Sequence, residues 1–264
     1  MTEPTTEPTT SPTQLAPTRG RSRFVAILVY TLQSCVPPKR WLAVLLPCAG
    51  ALLFGLLAHA VNASTPERAF ANVAAEGIFA LVMPIAALVI GDSVLGAEVR
   101  SGTFHFTWLS PTPTWQIVLG RWLGGSFVAL VTIAPAAALA AVVAGAPSSA
   151  GPAFVAAAVG SVSYVALFIA VGCITRRTAV WSLAIVFLVE RLLGAALTGI
   201  AQLSPTWESR AIFVGLLDDP PNRLIRSGIP EGGGAIVRLF IVAVVALVVA
   251  NWRMNHMRLS GAAD

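Results

Sequence analysis

Residues Gly91–Arg121 read GDSVLGAEVRSGTFHFTWLSPTPTWQIVLGR, a polar segment of distinctive order set between two apolar runs. Glu98 is followed by Arg100, then Gly102-Thr103, then the aromatic positions Phe104, Phe106 and Trp108, and Leu109-Ser110-Pro111 closes the run. Pro111 and Pro113 lack a backbone donor and disfavour helix in the residue before them, so a helix arriving from upstream ends there. Thr114 is placed to cap a new helix opening at Trp115 and passing through Gly120-Arg121. The stretch is expected to be a short helix or turn at a membrane surface, pinned between two spans by a rigid elbow.

The flanks make the membrane reading general. Of 264 residues, 56% are hydrophobic and 11% charged, with a mean hydropathy of +0.79, outside the range of ordinary soluble domains. Apolar runs long enough to cross a bilayer recur. The net charge of +5 sits on residues scattered through short loops, so no nucleic-acid partner is expected. Cys35, Cys48 and Cys173 lie far apart, and His59, His105 and His256 are isolated. That pattern points to buried free thiols and to no metal site.

In chain order, residues 1–18 are a Thr/Pro-rich stretch too polar to offset chain entropy and are expected to be a disordered tail. Within 19–40, Arg19, Arg21 and Arg23 precede an apolar run, Phe24–Val36, that stops at Pro37-Pro38. The run is too short to span and has no small-residue cleavage site, so it reads as a helix lying on the cytoplasmic face with its arginines on anionic headgroups. Residues 41–258 are expected to hold six spans, near Trp41–Val61, Ile78–Ala97, Trp115–Gly145, Pro152–Thr175, Thr178–Gln202 and Ala235–Trp252, before a short tail at 259–264. Pro47, Pro84 and Pro135 fall inside spans as expected kinks. Gly120-xxx-Gly124 and Ala156-xxx-Gly160 are small-residue pairs suited to close helix contact. The outer segment 203–234 carries an apolar piece, Ala211–Leu217, too short to cross. It is expected to be a re-entrant helix or one resting on the bilayer surface.

Lys and Arg set the orientation. With the N-terminus inside, Arg19, Arg21, Arg23, Lys39, Arg40, Arg100, Arg121, Arg176, Arg177, Arg253 and Arg258 are cytoplasmic, whereas Arg68, Arg210, Arg223, Arg226 and Arg238 fall outside. Both termini and the loop 91–121 are therefore expected in the cytoplasm. Glu190 and Arg191 lie near the middle of the fifth expected span. Ionisable groups at that depth cost at least about 2.5 kcal/mol each on insertion scales and face the bundle interior. Glu190, Gly194 and Thr198 share one helix side. Asp92, at a helix C-terminal end, opposes the macrodipole and calls for a partner such as Arg100 or Arg121.

Catalytic chemistry is missing. The single lysine, Lys39, follows Pro-Pro, so there is no glycine-rich phosphate loop with its Gly-Lys-Ser/Thr. Ser161 and Ser163 fall in the fourth expected span, whereas His59 and His256 are expected near opposite membrane faces, so no base is expected beside them.

The loop resembles the first cytoplasmic loop of type-2 ABC transporter permeases, the membrane subunits of ATP-driven exporters. Glu98, Arg100, Gly102, Thr103, Leu109, Ser110, Pro111, Trp115, Gly120 and Arg121 fall on that family's pattern without a gap, and His105 departs from it where glutamate is usual. The resemblance implies an all-α membrane protein of six transmembrane helices, with an N-terminal interfacial helix and a short re-entrant helix between spans five and six. It implies a coupling helix in which Phe104, Thr107 and Trp108 share a face, although the period-two spacing of the aromatics alone suggests a strand and an interfacial aromatic belt is the other reading. Coupling to the ATPase would fall to Glu98, Arg100, Gly102, Thr103, Phe104, Trp108, Ser110 and Pro111. Spans two and five would line the pathway, with Glu190, Arg191, Gly194 and Thr198 on it or, alternatively, with Glu190 and Arg191 in a structural ion pair. The partners implied are an ABC ATPase subunit, which would hold ATP and magnesium, and a second permease subunit, identical or related, within the lipid of the inner (plasma) membrane. The chain itself would hold no cofactor and no metal. The cargo implied is amphiphilic, drug-like or lipid-like. A non-transporting membrane scaffold or assembly protein of the same topology is the alternative.

Overall fold

The computed structural model describes residues 23–35, 41–61, 64–96, 98, 112–175, 177–188, 204–226, 229 and 232–256. Every regular element among them is helical. Helix α1 (Arg23–Cys35) stands where the interfacial helix is expected, and α2 (Trp41–Val61) covers the first expected span. The next span, α3, runs Pro66–Leu95. It begins at Pro66 rather than Ile78 because Pro66 supplies a preset φ at the first helical position and Glu67 complements the positive end of the helix. Glu67, Arg68 and Glu76 lower the local hydropathy and hide this first part from a hydropathy reading.

The winding of α3 alternates. It is α-helical over Pro66–Val73, π-helical over Ala74–Val82, α-helical over Met83–Gly91 and π-helical again over Asp92–Gly96. The change at Met83, whose N–H donates to the Ile78 carbonyl, falls beside Pro84, which has no N–H to continue the ladder.

Helix α4 (Thr114–Val143) starts one residue earlier than expected. The cap position is held by Pro113 in an extended conformation (ψ 139°), and Thr114 makes no cap bond. The Thr114 hydroxyl lies 3.0 Å from Asn251 Oδ1 and 2.7 Å from Asn255 Oδ1, tying this end of α4 to the last span. At its other end α4 stops in a tight reversal. The Ala146 N–H donates to the Ala141 carbonyl and Gly145 N–H to Val142, with Gly145 at φ 80°. A left-handed residue closing those two bonds is the glycine-terminated helix stop, and a Cβ there would be strained.

A single 3₁₀ turn, Pro147–Ser149, leads into α5 (Ala150–Ile174), and the two together form the apolar stretch Pro147–Ile174. Helix α6 opens at Thr178–Ala184 and continues apolar to Leu188. Among the described residues α7 (Pro205–Gly215), the short α8 (Asn222–Arg226), a 3₁₀ turn at Gly232–Gly234 and α9 (Ala235–Asn255) follow. Four helices among the described residues, Pro66–Leu95, Thr114–Val143, Pro147–Ile174 and Gly232–Asn255, are long and apolar enough to cross a membrane, and α2 and α6 are shorter apolar helices over the residues described. Residues 189–203, which hold most of the fifth expected span, lie outside the described residues, as do the two tails.

Helix α5 is the centre, touching α3, α4, α7 and α9. Lipid is as apolar as leucine, so burying apolar surface drives span association only weakly, and close fit decides instead. The inner face of α5 accordingly carries Ala153, Ala156, Ala157, Gly160 and Ala166 beside the fully buried Tyr164 and Phe168. Those two rings stack at 5.3 Å. Large side chains such as Leu46, Leu53, Phe127, Val131 and Phe240 point outward, as lipid-facing positions do. Gly160 lies where α7 crosses, and a Cβ there would crowd both Ser209 Oγ and the Met83 sulfur.

Candidate functional site

Glu98 and Arg121 come from the two legs of the loop 91–121, the first just past α3 and the second in the second turn of α4. The helix start at Thr114 puts Arg121 on the inner face of α4, where it is 1% exposed, and Glu98 is 8% exposed. The guanidinium meets the carboxylate with both forks, Nη2 to Oε2 at 2.7 Å and Nη1 to Oε1 at 3.0 Å, and Nη1 also donates to the Val94 carbonyl of α3. A bidentate pair fixes distance and orientation together, which a single contact does not. Arg121, one of the partners expected for Asp92, is thus clamped by Glu98.

A third element joins this cluster. Arg121 Cζ stands 5.8 Å from the Tyr30 ring centroid, close enough for a cation–π contact. Helix α1 reaches it by lying on the small-residue stripe of α4: a Cβ on Gly120 would meet Ile27 at 3.0 Å, and one on Gly124 would meet Thr31 at 2.8 Å. Thr31 and Cys35 are buried there, and burial pushes the Cys35 thiol up to about 12 against a smaller opposing pull from Arg121. The helix expected to lie on the bilayer surface therefore has one face packed on α4.

The opposite end of the bundle holds a second polar layer that the sequence reading missed. Helix α7 begins at Pro205, not at Ala211, because Ser204 Oγ accepts from the Trp207 N–H at 3.4 Å and Pro205 takes the first helical position. The Ser-Pro pair with Glu208 just after it was the available signal. This helix is buried along most of its length and carries charges inward. Arg210 Nη2 bonds Glu76 Oε2 of α3 at 3.0 Å, and Tyr164 and Thr206 hydroxyls meet at 2.6 Å. Glu208, wholly buried, has Arg238 Nε 3.0 Å from Oε1, but the N–H is not aimed at the oxygen, so the contact is an ion pair without a hydrogen bond. Desolvation raises the Glu208 pKa, and Arg238 offsets part of that.

Of the expected coupling residues only Glu98 is described; Arg100, Gly102, Thr103, Phe104, Trp108, Ser110 and Pro111 lie outside the described residues, as do Glu190, Arg191, Gly194 and Thr198. No group of three or more His, Cys, Asp or Glu able to hold a metal occurs among the described residues.

Residues 17–212 match the family described as ABC-2 family transporter protein. The chain belongs to the ABC-2 transporter family. The match runs from before α1 into α7, so it takes in the loop, the Glu98–Arg121 pair and the greater part of α7, and α9 lies beyond it. ABC-2 proteins of this kind are multi-pass membrane subunits that normally work with an ABC ATPase subunit. The missing phosphate loop accords with that division of labour. No curated protein matches the chain.

Proposed function

We propose that this ABC-2 protein is one permease half of an exporter, paired with an identical or related half around a central pathway and docked on two ATPase subunits that hold ATP and magnesium. Six spans cross the inner (plasma) membrane with both termini in the cytoplasm, and α7 is a re-entrant helix at the outer face. ATPase closure pushes on the loop containing Arg100, Gly102, Thr103, Phe104, Trp108, Ser110 and Pro111. Spans two and five, with Glu190, Arg191, Gly194 and Thr198 on the second of these, then switch access from inside to outside for an amphiphilic, drug-like or lipid-like cargo.

The observation that carries this reading is the buried bidentate pair between Glu98 and Arg121. A loop whose two legs hang independently loses an applied push in its own bending. Tying both legs together, and to α1 through Tyr30, makes a displacement of the loop a displacement of α3 and α4 as one body. The arrangement supports a lever more readily than a cargo site, because the two charges are buried against each other.

The test separates transmission from folding. Gly102→Val, and Phe104→Asp with Trp108→Asp, are expected to leave the protein in the membrane at normal levels. Cargo-stimulated ATP hydrolysis by the reconstituted complex should fall by about 10-fold or more, and the aspartates should also weaken retention of the ATPase subunit on purification, as loss of aromatic interface anchors does. Normal stimulation and retention in both variants would favour a scaffold with permease topology.

A further inference from the structure

Between α2 and the outer part of α3 lies a groove of about 660 Å³ that holds none of the residues placed on the pathway. Phe54, Leu57 and Val61 of α2 and Val73 and Leu81 of α3 give it an apolar wall. Arg68, Glu76 and Arg223 line it too. From Arg68 to Leu81 the helix climbs on the order of 17 Å, less than a pure α-helix would give at about 1.5 Å per residue, because Ala74–Val82 is wound wider. That matches one leaflet, about 15 Å of hydrocarbon with its headgroup zone.

The charges are not balanced within the groove. Glu76 is held from the α7 side by Arg210. Arg68 pairs with Asp219 at 2.7 Å, but both side chains are mostly exposed, and such a pair holds loosely and exchanges readily. Arg223 is exposed and has no ion pair among the described residues. The groove thus offers an apolar slot one leaflet deep with two arginines available at its lining, and arginine is the side chain that suits phosphate best.

We propose that this groove is a specific site for an anionic phospholipid of the surrounding bilayer, its phosphate between Arg68 and Arg223 and an acyl chain along Phe54, Leu57 and Leu81. None of its lining residues is among those placed on the cargo pathway, and it needs only that α2 and α3 lie in a bilayer, so it does not depend on the exporter reading.

Native mass spectrometry of the full-length protein in mild detergent tests it, with phosphatidylglycerol and phosphatidylcholine of matched chains as probes. Phosphatidylglycerol should bind about 10-fold tighter than phosphatidylcholine, the scale of one or two charge-assisted contacts. Arg68→Gln with Arg223→Gln should remove the preference, and Arg253→Gln, at the opposite end of the bundle, should keep it. Equal binding of the two lipids by the unaltered protein would overturn the site, as would a preference that survives the double variant or is lost equally in Arg253→Gln. Glycerol phosphate binding as tightly as the intact lipid would overturn the assignment to a membrane lipid.

Discussion

Replacing Arg121 by glutamine strips the Glu98 carboxylate of its two-pronged partner while leaving it almost fully enclosed. Breaking a buried pair from one side typically costs about 3–5 kcal/mol, because the remaining charge has lost its compensation, whereas removing both charges together costs far less. Arg121→Gln and Glu98→Gln should therefore each lower the thermal midpoint of the purified protein strongly, and the double variant should recover much of the loss. If the double variant is as unstable as the sum of the two, the pair is not the unit described here. Arg121→Lys should fall between, since an ammonium cannot match both carboxylate oxygens and reach the Val94 carbonyl in one plane.

Among elements, α1 stands where it is expected but makes a contact that the sequence does not announce. Its contact with α4 depends on Gly124, so Gly124→Leu should lift it away. Cys35 reports the movement. Buried at 1% exposure with its thiol pushed up to about 12, it should react slowly with a maleimide when Cys48 and Cys173 are replaced by alanine. In the Gly124→Leu background labelling should speed up by about 10-fold or more as thiolate forms in water. An unchanged rate would mean that α1 is held by something else. The boundaries of α2, α4 and α9 were legible in the sequence because long apolar runs bounded by proline, glycine or basic residues leave little choice. The starts of α3 and α7 were not, since Glu67, Arg68 and Glu76 in one and Thr206, Glu208 and Arg210 in the other read as loop until partners cover them. No local pattern announces that Glu76 meets Arg210 or that Glu98 meets Arg121; those pairings exist only once α5 has set the spacing of its neighbours.

At the scale of the whole molecule two polar layers stand at opposite ends, one holding Glu98, Arg121, Thr114 and Asn251, the other Glu76, Arg210, Glu208 and Arg238. In the proposed topology, argued from the excess of arginine and lysine, the first layer is the cytoplasmic one. With the three native cysteines replaced, His256→Cys should react with an impermeant maleimide only in inside-out vesicles, and Asn222→Cys only in intact cells. The reverse pattern would invert the topology. Between the two layers runs α3, whose wide-wound stretches at Ala74–Val82 and Asp92–Gly96 flank the ordinary helix Met83–Gly91. A wide turn holds slack: giving up one residue to an ordinary turn swings everything beyond it by about 100° and advances it by about 1.5 Å. Slack on both sides would let the Met83–Gly91 segment turn against its neighbours without breaking its own backbone bonds. The two ends of the protein then need not turn together, and amide exchange faster at Ala74–Val82 than along α5 would be the mark of that freedom.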